Sequence, residues 1–305
     1  MAPMRGTSRT GTAGDAPPVF DIRDPRHDPE IVRRLVRGEP AAFYMGLFTI
    51  MQLVGPPHRG GGRAELFWQV KRNRPDWSKL PVFIRPRDAL RLIDWAPVHP
   101  AFRFRRRERF EALWAHGAPM HVIAPLRDGL RTVNPSLITT ADEAAAAAPD
   151  RRVARRTAAM FWMQDPAWAR LADALVRGAP RRRYLVGSSF NDHGEHPPYT
   201  LDELFAHTAR RGDLPYGFVI DDPLLARCGG FSSHSLVRLP LLDETPELVM
   251  LRRGTVSPGW LTESTGLAVR TLASTTVASR RQDTTDTSLR TAFEELARRR
   301  LGSPT

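Results

Sequence analysis

Residues 71–84 read KRNRPDWSKLPVFI, and this segment holds both lysines of the 305-residue chain. The other 43 of its 45 basic residues are arginine. An ammonium group is a compact point charge on a flexible stem, whereas a guanidinium is a rigid planar fork, so the two are not interchangeable. Two lysines in one short segment of an arginine-rich chain therefore indicate a place where a phosphate or carboxylate is bound. The alternative is a solvated loop that carries both lysines by chance.

The composition is typical of a globular protein with an excess of basic residues. A hydrophobic content of 41% supports the core of one large or two small domains. The formal charge of +12 predicts a polyanionic partner such as tRNA or nucleotide phosphates, although an arginine-rich proteome would give the same value. The single cysteine, Cys228, excludes an intramolecular disulfide and favours a reducing cytoplasm. No apolar run is long enough to span a bilayer, so no membrane partner is predicted.

Strands alternate with helices on both sides of the lysine segment. The apolar and β-branched runs predict strands at residues 41–49, 80–84, 120–126, 157–163, 183–186, 216–220, 231–239 and 247–252. Helical periodicity and capping signals predict helices at residues 29–37, 63–72, 86–95, 167–178 and 200–212, and a closing helix at 288–300. This order predicts a disordered arm over residues 1–27, one α/β domain with a mixed sheet over 28–258, and a polar linker and C-terminal helix over 259–305.

A polar segment, GSSFNDHG at residues 187–194, follows one predicted strand and precedes a capped helix. Its hydroxyls, amide and glycines can bind a phosphate or carboxylate, but turns of this composition are also common without a ligand. His193 and His196 have no third ligand nearby, so no metal site is predicted. Ser189 has no visible base partner, and the chain has neither a Walker loop nor a dinucleotide fingerprint.

Together, these segments resemble the YrdC-like family, which includes L-threonylcarbamoyladenylate synthase and the related domain of carbamoyltransferases. Lys71, Arg74, Lys79 and LPVFI resemble the family's KGRP-x-x-KPL-x-V, and SSFN with the nearby Gly194 resembles TSAN-x-SG. GEPAAFYMGLFTIMQL resembles the first strand and its threonine-bearing turn, and ELVMLRRG resembles a late LR-x-G strand. The resemblance covers roughly residues 30–258.

This resemblance implies a fold, a reaction and a set of site residues. The fold would be a twisted mixed α/β sheet with helices and a concave basic face. The reaction would use ATP and Mg²⁺ to adenylate a carbamate formed from bicarbonate and an amino acid or amine. The implied catalytic residues are Lys71 and Arg74; the implied nucleotide-binding residues are Ser189, Asn191, Lys79 and Arg252; and Thr49 would contact the substrate.

The chain also departs from the family pattern. Lys71 and Arg74 are separated by two residues where the family has one, and the family's proline-threonine-aspartate-threonine turn is here GLFT at residues 46–49. The tyrosine and glycine that follow this turn are replaced by Met51 and Gln52, and Phe161 stands on the strand that normally carries an arginine. These departures predict either a different amine acceptor, as in secondary metabolism, or a non-catalytic member of the fold that binds tRNA or double-stranded RNA.

Overall fold

A computed structural model describes residues 16–55, 80–103, 106–128, 134, 137–179, 184–191, 195–212, 214–227, 233–277 and 285–301. In these residues, twelve strands form a single sheet. The strands are β1 (Val19–Asp21), β2 (Ala41–Tyr44), β3 (Phe48–Val54), β4 (Val82–Phe83), β5 (Met120–Pro125), β6 (Thr139–Thr140), β7 (Arg156–Trp162), β8 (Tyr184–Ser189), β9 (Phe218–Asp221), β10 (Ser235–Arg238), β11 (Leu248–Arg253) and β12 (Val269–Val277).

Helices connect the strands and cover the sheet. They are α1 (Asp28–Val36), α2 (Pro86–Ala89), α3 (Pro100–Arg103), α4 (Arg106–Ala112), α5 (Ala141–Ala147), α6 (Pro166–Gly178), α7 (Leu201–Arg211), α8 (Pro223–Ala226), α9 (Pro258–Thr265) and α10 (Asp286–Leu301). A short 3-10 helix, Pro25–His27, precedes α1. Within the described ranges, no helix is long and apolar enough to span a membrane.

The sheet is mixed, with the strand order β1-β9-β2-β3-β8-β4-β7-β5-β10-β11-β12, and β6 pairs with β7. The parallel pairs are β1–β9, β2–β9, β4–β7, β5–β10 and β11–β12. The pairs β2–β3, β3–β8, β4–β8, β5–β7, β6–β7 and β10–β11 are antiparallel. The predicted fold class, a mixed α/β sheet with helices, is confirmed.

A β-hairpin occupies the place of the single strand predicted at residues 41–49. Tyr44 pairs with Phe48, and the turn between them contains Gly46 with a φ of 86°. Glycine adopts this left-handed conformation without steric cost. The prediction of one strand was wrong because every residue of β2 and β3 is buried, so the apolar run continues through the turn without a polar interruption.

Strand β8 is longer than the predicted strand at residues 183–186 and includes Gly187, Ser188 and Ser189. Gly187 is required here by packing: a Cβ atom at this position would lie 2.6 Å from Cε2 of Phe83 on the neighbouring strand. Three of the eight residues that were predicted as a loop therefore belong to the strand. The loop itself begins at Phe190, a residue with no exposed surface.

Both ends of the described chain add strands to the sheet. β1 lies in the predicted N-terminal arm and pairs with β9. The predicted polar linker beyond Pro258 instead contains α9 and β12, and β12 pairs with β11. Apolar and hydroxyl-bearing residues alternate only weakly along β12. The sequence of this segment therefore predicted a polar linker and not a strand. The division of the chain into units at residues 27 and 258 stays a prediction.

The sheet curls along its strand order, so that distant strands meet. The main-chain oxygen of Met45, in the turn between β2 and β3, lies 3.2 Å from Nε2 of His234. His234 immediately precedes β10, which lies five places from β3 in the sheet. The right-handed twist between neighbouring strands accumulates over this distance. The face that carries the ring of His234 is therefore concave.

Candidate functional site

The strand registers place three of the predicted site residues on the concave face. Directly paired residues point to the same side of a sheet, and side chains alternate along each strand. The connecting pairs are Thr49↔Ser189, Phe83↔Leu185, Phe83↔Phe161, His121↔Phe161, Leu236↔His121 and Leu236↔Arg252. Thr49, Ser189 and Arg252 therefore share one face with Phe161 and His121, although 203 positions separate Thr49 from Arg252 in the chain.

Thr49 and Ser189 lie side by side on β3 and β8. Oγ1 of Thr49 donates a hydrogen bond to the main-chain oxygen of Phe43 at 3.1 Å, and only 3% of Thr49 is exposed. Because the hydroxyl proton is used in this bond, the oxygen can only accept a further hydrogen bond. Thr49 is thus suited to an N–H donor such as an amine. Ser189 is half-buried.

The loop after β8 is held by a buried aromatic ring. Phe190 packs against His207 and Tyr216, with ring centroids 5.3 Å and 5.6 Å away, and its main-chain N–H donates to Phe48. This anchoring fixes the backbone between Ser189 and Asn191. Nδ2 of Asn191 donates to the main-chain oxygen of Glu195, and the side chain is buried. Its amide is therefore held in one orientation.

Arg252 on β11 is a half-buried cation without a counter-ion in the part of the chain that the structure describes. Its Nε donates to the main-chain oxygen of His234 at 2.9 Å, and this is the only hydrogen bond of its guanidinium to a described residue. Burial and then the neighbouring positive charge of Arg151 lower the pKa of Arg252 to about 10. The group stays protonated at neutral pH, and an anion bound beside it would compensate the unbalanced charge.

Two histidines and a phenylalanine line the face between β7 and β10. Nε2 of His121 lies 3.3 Å from Nδ1 of His234, and both rings lie 5.0 Å from the ring of Phe161. Burial lowers the pKa of His234 to about 3. Neither histidine was predicted from the sequence as a site residue. A polar ring at position 121, inside an otherwise apolar strand, was the one available signal.

The remaining predicted site residues, Lys71, Arg74 and Lys79, lie outside the described residues, as do His193 and Gly194. Their placement in the site stays a prediction. Among the residues that are described, no group of three or more histidine, cysteine, aspartate or glutamate side chains could hold a metal ion.

No protein-family model and no curated protein matches the chain. Solved structures with a similar fold include Sua5 of P. abyssi complexed with L-threonine, at a TM-score of 0.54 and 14% identity over 84% of this chain and 63% of that chain. A doubly substituted variant of the same protein matches at a TM-score of 0.51 and 15% identity, over 84% of this chain and 62% of the other. YciO of E. coli matches at a TM-score of 0.49 and 15% identity, over 79% of this chain and 96% of that chain.

The chain thus has the fold of Sua5, as the sequence resemblance implied. It spans less than two thirds of the length of the Sua5 chains it matches.

Proposed function

We propose that this protein binds ATP on its concave face and forms a carbamoyl-adenylate from ATP, bicarbonate and an amino acid or amine. The observation that carries the proposal is the half-buried guanidinium of Arg252, which faces the same side of the sheet as Ser189 and Thr49 and has no carboxylate partner among the described residues. The likeness in fold to Sua5, which was solved in complex with L-threonine, also supports it.

The proposed reaction has two steps. The amine nitrogen attacks the carbon of bicarbonate, and water leaves, which gives a carbamate. A carbamate oxygen then attacks the α-phosphorus of ATP, the bond from that phosphorus to the bridging oxygen breaks, and pyrophosphate leaves. Such transfers depend on positioning and on charge stabilisation of the phosphates. A Mg²⁺ ion bound with ATP would neutralise part of the phosphate charge.

Each site residue has a proposed role in this scheme. Arg252 would stabilise phosphate oxygens, and Ser189 and Asn191 would bind the nucleotide. Lys71 would steady the phosphate and carboxylate oxygens during reaction, because its flexible ammonium group can follow the moving negative charge, and Arg74 would bind the same oxygens through its planar guanidinium. The ammonium group of Lys79 would provide a further positive charge for binding the nucleotide.

The acceptor is the least constrained part of this proposal, because the departures from the family pattern lie there. Phe161, at the position where the resemblance expects an arginine, packs against Phe83 at 4.5 Å between ring centroids. An apolar ring cannot pair with a substrate carboxylate. Thr49 retains its ability to accept a hydrogen bond from an amine. We therefore propose that the acceptor is an amine other than threonine and that the reaction belongs to a specialised pathway, as in secondary metabolism.

The test is release of pyrophosphate with ATP, bicarbonate and a panel of amino acids and amines with and without a carboxylate. We expect release with at least one acceptor. Arg252→Gln and Asn191→Ala should each weaken ATP binding by roughly tenfold or more, since a hydrogen bond to a charged group contributes about 1.5–3 kcal/mol. Arg26→Gln is the matched control, because 86% of the Arg26 side chain is exposed and, among the described residues, it pairs only with Asp24. Unchanged ATP affinity in both site variants and in Lys71→Ala would refute the site.

A second candidate function is RNA binding without catalysis, and a different surface favours it. A groove of ≈ 560 Å³ is lined by Arg85, Arg87, Arg91 and Arg107, together with Asp88, Leu90 and Val176. The side chains of Arg87 and Arg107 are 59% and 74% exposed. Arg91 is also exposed and makes no ion pair with any described residue. A set of exposed guanidinium groups in one groove suits a phosphate backbone.

Binding of tRNA at several salt concentrations tests this alternative. The absence of pyrophosphate release with every acceptor, together with salt-sensitive tRNA binding, would favour it over the enzyme. In that case the triple variant Arg87→Gln, Arg91→Gln and Arg107→Gln should reduce the slope of log affinity against log salt, whereas Arg26→Gln should leave it unchanged.

A further inference from the structure

His234 connects three strands of the concave face through one residue. Its Nε2 lies 3.2 Å from the main-chain oxygen of Met45, and its Nδ1 lies 3.3 Å from Nε2 of His121. Its own main-chain oxygen accepts a hydrogen bond from Nε of Arg252 at 2.9 Å. The side chain thus contacts the β2–β3 turn and β5, while the backbone holds the cation on β11.

The hydrogen bonds determine the tautomer of His234. A carbonyl oxygen can only accept, so Nε2 of His234 must carry the proton that is donated to Met45. In a neutral imidazole the other nitrogen is then an acceptor, and it receives the Nε2–H of His121. Burial keeps the ring neutral by lowering its pKa to about 3. A protonated ring would present a second N–H toward His121 and break this arrangement.

The backbone on either side of His234 is fixed by close packing. Oγ of Ser235 accepts hydrogen bonds from the N–H groups of Gly254 and Val256 at 3.0 Å and 2.8 Å, and donates to the oxygen of Val256 at 2.7 Å. Gly254 lies directly against Ser233, because a Cβ atom there would be 1.9 Å from the Ser233 oxygen. The main-chain oxygen of His234 therefore has little freedom to move relative to β11.

We propose that His234 is a positioning residue that sets the distance and orientation of the Arg252 guanidinium relative to the β2–β3 turn, and so prepares the place where a phosphate group of the nucleotide binds. This inference rests on the proposed function. Arg252 would contact the phosphate, whereas His234 would act through Arg252 and would not touch the ligand. The competing interpretation is a buried histidine that contributes to packing and stability alone.

A double-mutant cycle with ATP as the ligand separates these interpretations. His234→Phe keeps a ring against Phe161 but removes both side-chain hydrogen bonds, and His234→Gln keeps a donor that can reach Met45. We expect His234→Phe to weaken ATP binding by about tenfold or more, because small displacements of a positioned group have large effects. His234→Gln should restore part of the affinity. In the background of Arg252→Gln, His234→Phe should have no further effect.

His116→Phe is the matched control for placing phenylalanine at a buried histidine. His116 is 9% exposed, and its ring packs against Trp260 at 5.6 Å. Its substitution should change stability without changing ATP affinity. Nitrogen-15 NMR of the histidines provides a readout that does not depend on ATP, and we expect a signal for a neutral ring protonated at Nε2 that disappears in His234→Gln.

The outcomes separate the inference from the proposed function. Additive losses for His234→Phe and Arg252→Gln, or unchanged affinity in both His234 variants, would overturn the positioning role while the ATP site stands. The opposite tautomer, or titration of His234 near pH 6.5, would also overturn it. Absence of saturable ATP binding by the wild-type chain would instead overturn the proposed function, and the positioning role with it.

Discussion

Substitution of Gly254 by alanine should be among the most destabilising single changes in the chain. A Cβ atom at this position would lie 1.9 Å from the main-chain oxygen of Ser233 and 2.7 Å from both the carbonyl carbon of His234 and the nitrogen of Ser235. All three contacts are with backbone, so rotation of a side chain cannot relieve them. Strand β11 would have to move away from the segment that enters β10.

The cost follows from this geometry. Overpacking in a well-packed interior costs about 1–3 kcal/mol, and more where the neighbours cannot move. A shift of β11 would also lengthen the hydrogen bonds from Gly254 and Val256 to Oγ of Ser235, which are 3.0 Å and 2.8 Å long, at about 1 kcal/mol each. We therefore expect Gly254→Ala to lower the free energy of unfolding by at least about 3 kcal/mol.

Urea unfolding followed by tryptophan fluorescence measures this loss. Gly259→Ala is the matched control, since Gly259 lies in α9 and a Cβ atom there would meet nothing within 4 Å. It should leave stability unchanged or raise it by up to about 1 kcal/mol, through the lower entropy of the unfolded chain. If the free energy of unfolding of Gly254→Ala lies within about 0.5 kcal/mol of the wild-type value, the packing argument is refuted, because effects that small are typical of surface substitutions that disturb no packing.

Two further predictions concern buried charges and buried histidines. Two hydrogen bonds of 2.7 Å join the buried guanidinium of Arg238 to the carboxylate of Glu244. Glu244→Gln removes this counter-charge and should lower the free energy of unfolding in urea by about 3–5 kcal/mol. Glu263→Gln, on the surface, is the control and should lower it by less than about 1 kcal/mol. Burial lowers the pKa of His116 to about 4 and that of His234 to about 3, below the unfolded value near 6.5. Above about pH 6.5 both rings are neutral in the folded and the unfolded chain, and stability is at its full value. As the pH falls below about 6.5 the unfolded chain binds protons that the folded chain does not, so stability is lost. Each histidine should lower the free energy of unfolding by about 1.4 kcal/mol per pH unit below pH 6.5, which is about 2 kcal/mol between unfolding measurements at pH 7.5 and 5.0. An equally large loss in His116→Phe would contradict this.

Local signals in the sequence predicted much of the fold. Thr200 accepts the N–H of Glu203 at 3.1 Å at the start of α7, and Gly212 ends that helix with a φ of 70°, as the capping pattern indicated. Signals of this kind depend only on residues a few positions apart. The β2–β3 hairpin was not predicted, because its turn residues Met45 and Leu47 are as buried as the strands. Hydrophobicity cannot mark a turn that lies inside the protein.

The sequence indicated candidate site residues only where they lie in a segment that resembles a family motif. The resemblance singled out Ser189, Asn191 and Arg252, and two of these, Ser189 and Arg252, prove to share the concave face with Thr49. It gave no indication of His121 or His234. Neither histidine lies in a recognisable pattern, and a lone histidine in an apolar segment is more often a packing residue.

The contacts of His234 are long-range, and strand register alone brings them together. His234 is 189 residues from Met45 and 113 residues from His121 in the chain. Because side chains alternate along a strand, a shift of β10 by one residue against β5 would turn the ring of His234 to the other face and place Ser235 toward Phe161. Ser235 can make its hydrogen bonds with Gly254 and Val256 only if its side chain points toward the segment that follows β11. A shift of β10 would break these bonds, so they oppose it. The residues that fix the register are therefore also the ones that place the cation of Arg252, and a substitution at Gly254 should disturb stability and anion binding together.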